Sequence, residues 1–153
     1  MEKISWSIYK GEIDLLAEMV NSENINIRNE YERTPLIEAV IENKIEIVKL
    51  LLGKGADINL QDKGGYTALH FAAQNNKAEI LRLLLESGAK VDIQDRYGNT
   101  PLSEAVFSSD EEGELIKLLL SFGADENIKN KSGVSPLSLA ETIGNRDVEK
   151  FFK

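Results

Sequence analysis

The chain holds a single histidine, His70, which is the one side chain able to act as a general acid or base near neutral pH. No serine, cysteine or carboxylate stands at a spacing that gives it a nucleophilic or orienting partner, so a catalytic His70 is the remote alternative. Asp110, Glu111, Glu112 and Glu114 form an acidic run that invites a calcium reading. The run lacks the alternating ligands and the closing glutamate of a calcium loop, and it reads as a solvated loop instead. Gly64-Gly65 lacks the second glycine and the following lysine of a phosphate-binding loop. The absence of cysteine excludes disulfides, thiolate metal sites and thiol catalysis. The residue types thus point to no catalytic group, metal ion or cofactor.

Bulk properties narrow the classes further. Lysine and arginine total 18 against 26 aspartates and glutamates, so the net charge is 18 − 26 = −8. An acidic surface repels phosphate backbones and disfavours nucleic acid, while it speeds encounter with a basic protein. Hydrophobic residues make up 42% of the 153, enough for a folded domain rather than a disordered chain. The opening MEKISWSIYK has no continuous apolar run, so neither a signal peptide nor a membrane span is expected, and the expected location is cytoplasmic.

A periodic phrase organises the whole chain. Thr34-Pro35-Leu36 returns as Thr67-Ala68-Leu69 after 33 residues, as Thr100-Pro101-Leu102 after 33 more, and as Ser135-Pro136-Leu137 after another 35. Such a period marks a repeat array. Each phrase opens a helix, because Thr or Ser caps free amide groups and proline loses no needed donor at the first helical position. Asn43 and Asn75-Asn76 mark turns to second helices, Ile45 to Leu52, Ile80 to Leu85 and Leu115 to Leu120, which Gly55, Gly88 and Gly123 end. Ile4 to Val20 reads as two short helices broken near Gly11, and residues 21–33 as a short extended connection through Ile25 and Ile27. The expected division is a degenerate first repeat 1–29, full repeats 30–62, 63–95 and 96–130, and a C-terminal capping repeat 131–153, all in one domain. Glu38 and Glu104 then lie two units apart. Helices pack roughly 8–10 Å apart, so the two exceed the ~5–9.5 Å of a glycosidase pair. Local pairing, capping or solvent exposure is expected of them. Trp6, the one tryptophan, is expected in the core or covering the open end of the array, with partner contact as the alternative.

Gly65-Tyr66-Thr67-Ala68-Leu69-His70, Glu79-Ile80-Leu81-Arg82-Leu83-Leu84-Leu85 and Gly88-Ala89-Lys90-Val91-Asp92 carry a resemblance to ankyrin-repeat proteins over nearly the whole chain. Gly55-Ala56-Asp57-Ile58-Asn59 and Gly123-Ala124-Asp125-Glu126-Asn127 extend it. The resemblance implies an all-α repeat solenoid of about five helix pairs with short β-hairpin tips. It also implies protein binding through the tips and the inner helix face. Glu32 replaces the turn glycine, so the first tip is expected to differ in shape. His70 has Ile37, Ser103 and Ser138 as counterparts, so the family's histidine capping is mostly missing; Glu38 and Glu104 stand where the central repeat has Phe71.

Residues the repeat does not need are the candidate contacts. By analogy with the family, Tyr31, Arg33, Lys63, Tyr66, Arg96, Tyr97 and Asn99 on the tips share one face with Ile41, Glu42, Gln74, Asn75, Phe107 and Ser108 at the ends of the first helices. Tyr and Arg are enriched at binding hot spots. Phe107 has two open readings, contact or packing under the acidic stretch 108–114, which is two residues longer than the matching turn. The expected function is a non-enzymatic, monomeric protein-binding module. The sharper alternative is an immunity protein that inhibits a cognate basic bacterial toxin, because short acidic ankyrin proteins resemble that class. A cytosolic adaptor fits the same features.

Overall fold

The computed structural model describes residues 1–110, 112–143 and 146–152; Glu111 of the acidic run lies outside the described residues. The chain forms five successive helix pairs: α1 (Glu2–Lys10) with α2 (Ile13–Met19), α3 (Pro35–Ile41) with α4 (Ile45–Gly53), α5 (Ala68–Gln74) with α6 (Ala78–Glu86), α7 (Pro101–Ser108) with α8 (Glu114–Ser121), and α9 (Pro136–Thr142) with α10 (Arg146–Glu149). A 3-10 turn, Lys150–Phe152, follows α10. The first helices stack in order, α1 on α3, α3 on α5, α5 on α7 and α7 on α9. Ala39, Ala72 and Ala105 are wholly buried along this stack, where a larger side chain would force close-packed neighbours apart. One apolar core runs from Ile4 to Val148, and each pair buries its stripe against the next.

Local chemistry explains most helix ends. Thr34, Thr67 and Ser135 accept the backbone N–H of Ile37, His70 and Ser138. The Thr100 hydroxyl occupies the same place without making that bond and is buried without a partner. Asn43 (φ 54°) and Asn76 (φ 53°) take the left-handed turn between paired helices, a conformation asparagine tolerates better than most residues. Residues 22–26 are not extended as the Ile25/Ile27 alternation suggests. They are turns, because Asn21 Oδ1 holds the N–H of Glu23 at 2.9 Å and Asn24 Oδ1 holds that of Asn21 at 2.8 Å. Ile25 enters the core and Ile27 stays outside.

The tips are turns as well. No strand occurs among the described residues, so the expected β-hairpins are absent there. Each tip opens on Asn29, Asp62, Asp95 or Asn130. The side-chain Oδ1 of each accepts the N–H two and four residues on: Tyr31 and Arg33, Gly64 and Tyr66, Tyr97 and Asn99, Ser132 and Val134, all at 2.8–3.0 Å. Satisfied by its own side chain, the tip needs no strand partner. A single backbone bond then joins each tip to the next, from Lys63 N to Tyr31 O, Arg96 N to Gly64 O and Lys131 N to Tyr97 O at 2.9–3.0 Å. The long side chain just before each of the first three tips adds a second tie: Arg28 donates to Glu32 O and Gln61 O, Gln61 Nε2 to Gly65 O and Gln94 O, and Gln94 Nε2 to Gly98 O and Lys129 O.

The fourth tip residue is left-handed in every case: Gly65 and Gly98 at φ 83°, Gly133 at 77°, and Glu32 at 58°. The first tip therefore keeps the common shape despite lacking glycine, and carries backbone strain of about 1 kcal/mol. Replacing Glu32 by glycine should raise stability by roughly 0.5–1 kcal/mol in urea denaturation, since its ion pair with Arg28 is exposed and weak. Gly65→Ala should destabilise by more than about 1 kcal/mol, because a Cβ there meets the Arg96 nitrogen at 2.7 Å. A Glu32→Gly protein no more stable than the parent would show that the strain is not there.

Candidate interaction surface

Tips and first helices meet along an open groove. Tyr31, Arg33, Lys63, Tyr66 and Gln74, five of the sequence candidates, line one depression of about 340 Å³ floored by Phe71. Arg33 lies over the rings of Tyr31 and Phe71, 5.1 and 5.2 Å from their centroids, and its Nε sits 3.5 Å from Asp62 Oδ2. Arg96 reaches back to donate to the Lys63 carbonyl at 3.0 Å. Tyr97 (61% exposed) and Phe107 (64%) stand free on the next tip and the end of α7. The packed reading of Phe107 is therefore set aside. Glu42, Gln74 and Asn75 are exposed at helix ends.

Other candidates serve the scaffold. Ile41 packs half-buried against the core. Ser108 Oγ donates to the Ala73 carbonyl of the previous unit at 2.7 Å. Asn99 accepts from Asn130 Nδ2 at 2.8 Å through its side chain and faces His70 Nε2 at 3.2 Å through its carbonyl. His70 itself closes a capping box. Its Nδ1 accepts the Thr67 N–H at 3.1 Å, so the hydrogen lies on Nε2 and points to Asn99 O. Burial drives its pKa below the ordinary histidine value, partly opposed by the Asn99 carbonyl, and keeps the ring neutral. Ser138 makes the same box with Ser135 in the last unit. His70 thus has a cap's geometry and no reacting partner.

Glu38 and Glu104 both bond to the preceding unit; Glu38 is half-buried and Glu104 is buried. Glu38 accepts from Ser5 Oγ at 2.8 Å and from Asn29 Nδ2 at 2.8 Å. Glu104, only 6% exposed, accepts from the Tyr66 hydroxyl at 2.9 Å. Burial, then the charge and hydrogen bond of Glu104, push the Tyr66 phenol far above its usual range. Tyr66 therefore lends its ring to the groove while its hydroxyl is committed inward.

Two repeats separate Asn29–Glu38 from Asp95–Glu104, and the comparison locates an electrostatic fault. Asn29 donates an amide to Glu38, whereas Asp95 at the matching place has nothing to donate, and its Oδ2 is buried without a partner. Burial first, and Asp95 as a lesser cause, raise the Glu104 pKa above its ordinary 4.5. A carboxyl raised in the folded state favours folding while protonated and loses that advantage as pH climbs from the ordinary value through the raised one. Asp95→Asn keeps the oxygen that holds the tip and offers an amide to Glu104. It should stabilise the protein by roughly 1–3 kcal/mol at pH 7. The gain should shrink as pH is lowered, because Glu104, its pKa raised, takes up its proton before pH reaches the ordinary carboxyl value. Thermal melts of both proteins across pH 4–8 measure this, and a destabilised variant at pH 7 would refute the comparison.

Sequence reading missed the first unit's share of the surface. Trp6 is 57% exposed rather than buried or capping, because Ile4 and Ile8 supply the core face of α1 and leave Trp6 outside. Tyr9 is equally exposed, with its ring centroid 6.1 Å from that of Trp6. The signal was available: Tyr9 lies 33 residues before Glu42 and 66 before Asn75, both candidates. Without the Thr-Pro-Leu phrase the first unit offers no anchor for that alignment.

A family model for ankyrin repeats, in three copies, matches residues 4–62 and 47–130. Comparison with curated proteins gives no match.

Proposed function

The chain belongs to the ankyrin-repeat family, whose members generally mediate protein–protein interaction, and from that premise we propose that it binds a protein partner along the groove between tips and first helices. The observation that carries this reading is the row of exposed aromatic side chains there, Tyr9, Tyr31, Tyr97 and Phe107, on a scaffold whose buried positions already supply a complete core. Exposed aromatics concentrated on one surface mark contact sites, because they bring large area at little entropic cost. The family is typically non-enzymatic, and the geometry of His70 supports the same reading here.

The net charge of −8 favours a basic partner. The finer reading is inhibition: a small acidic module that covers the active site of a basic toxin, in the manner of an immunity protein. A cytosolic adaptor is the rival, and the identity of the captured partner separates them.

Tyr31→Ala and Tyr97→Ala should each weaken capture of the partner by more than about 1 kcal/mol, roughly fivefold or more. Lys49→Ala, on the exposed face of α4 and outside the depression that Tyr31 lines, should leave it unchanged. Affinities of all three for the captured partner test the assignment, which fails if the two tyrosines are silent. With a basic partner, the association rate should fall steeply as salt rises. A rate indifferent to salt argues against the charge-based reading and leaves the groove intact.

A further inference from the structure

At the amino-terminal end of the groove lies a larger depression, about 770 Å³, between α1 and the first tip. Trp6, Tyr9 and Tyr31 give it three aromatic rings, and Glu2, Glu30 and Glu38 give it three carboxylates. Of the residues that line it, Arg28 is the one cationic side chain, and it is already engaged by Glu32 and the Gln61 carbonyl. Tyr31 lines both this depression and the smaller one beside Phe71, so the two adjoin at that residue.

We propose that this depression is a receptor for an arginine or lysine side chain on a basic segment of the partner polypeptide. The proposal rests on the reading of the groove as a protein-binding surface and names the chemistry recognised at one end of it. Indole and phenol faces attract cations through their ring quadrupoles, and nearby carboxylates add direct charge. The chain already shows the affinity: Lys10 places its ammonium 4.7 Å from the Trp6 centroid and 5.8 Å from that of Tyr9. Neither Lys10 nor Arg33, which lies over the Tyr31 ring, lines the depression, so a partner's cation would meet the parts of these rings that face it. Glu38 is anchored by Ser5 and Asn29, which fixes one carboxylate at the wall in advance of binding. The volume exceeds one side chain and accommodates flanking backbone, which favours a peptide over a free small cation.

Trp6 is the only tryptophan and lines this depression, so its fluorescence reports binding here, and Tyr31→Ala separates this site from the second depression that Trp6 lines with Leu15 and Met19. The full chain is titrated with an octapeptide of alternating arginine and glycine, with the same peptide carrying glutamate for arginine, and with argininamide. Saturable change in emission is expected with the arginine peptide, none with the glutamate peptide, and affinity about tenfold weaker for argininamide. Tyr31→Ala should weaken the arginine peptide about three- to tenfold and Glu30→Gln by a smaller factor. Both residues are exposed, and unchanged melting temperatures confirm that the variants fold. Tyr97→Ala, on a distant tip, should leave the titration as it was. No saturable change with the arginine peptide, an equal response to the glutamate peptide, or indifference to Tyr31→Ala overturns the proposal. Equal affinity for argininamide overturns the polypeptide assignment. If the peptide fails while Tyr97→Ala still weakens capture of the whole partner, only the cation site falls and the protein-binding reading stands.

Discussion

The array depends on one small interaction repeated four times: an asparagine or aspartate oxygen that holds two backbone amides of its own tip. A projecting loop exposes amide groups that must find acceptors. Here the acceptor is local, so the tip is shaped before it meets a neighbour. Only one backbone bond per step is then required to set the register between tips, and the same two positions use it each time. The arrangement replaces a β-ladder, whose unpaired edges would invite other chains, with closed turns that present side chains instead. That is why the groove is lined by tyrosine and arginine side chains and not by backbone.

The same interaction carries a cost where its acid lacks company. Arg33 sits beside Asp62, and Asn99 meets Asn130, but Tyr66 sends its hydroxyl to Glu104 and leaves one Asp95 oxygen alone. Two carboxylates thus share the buried wall of the central groove with one hydroxyl donor between them. An amide at position 95 would relieve this, as Asn29 relieves Glu38. Uncompensated charge kept beside a surface of exposed aromatics fits a site held for recognition rather than for stability. The field of that pair adds to the acidic character a basic partner would meet.

Most of the scaffold was legible in the sequence because it follows from period and capping. Thr34, Thr67 and Ser135 cap as their positions require, Gly11 closes α1, and Asn43 and Asn76 turn between helices. The tips were misread as hairpins because glycine and polar residues signal a turn without saying what pairs with it; the decisive atoms, Oδ1 of four residues at a constant place, appear only once the loop is closed. Exposure was harder still. Trp6 and Ile8 are both large and apolar on one helix, yet one is outside and the other has no accessible surface. The rotation of α1 against α3 decides between them, and that rotation is a property of packing, not of composition. Of the candidate contacts, Tyr31, Arg33, Lys63, Tyr66 and Gln74, grouped on one face by analogy with the family, line one depression. Asn99 and Ser108 share the period too, but their bonds to Asn130 and Ala73 reach across units, which no within-unit pattern records.

A repeat scaffold also explains why recognition residues can vary along so short a surface. Each unit needs leucine, alanine and a capping hydroxyl at fixed places: Leu36, Leu69 and Leu102 are almost entirely buried at one interval of 33. Positions between them are released from packing, and the chain has filled them differently at each step, with glutamate at 30, lysine at 63 and arginine at 96. Because units contact only their neighbours, a change at one tip perturbs one interface and not the whole array. The groove can therefore hold an aromatic and acidic end beside Trp6 and a different, more basic stretch at Arg33, Lys63 and Arg96 without conflict. A partner that matched such a surface would need basic groups toward the Trp6 end and acidic groups toward Arg33, Lys63 and Arg96, and that requirement selects more sharply than the overall charge of the chain does.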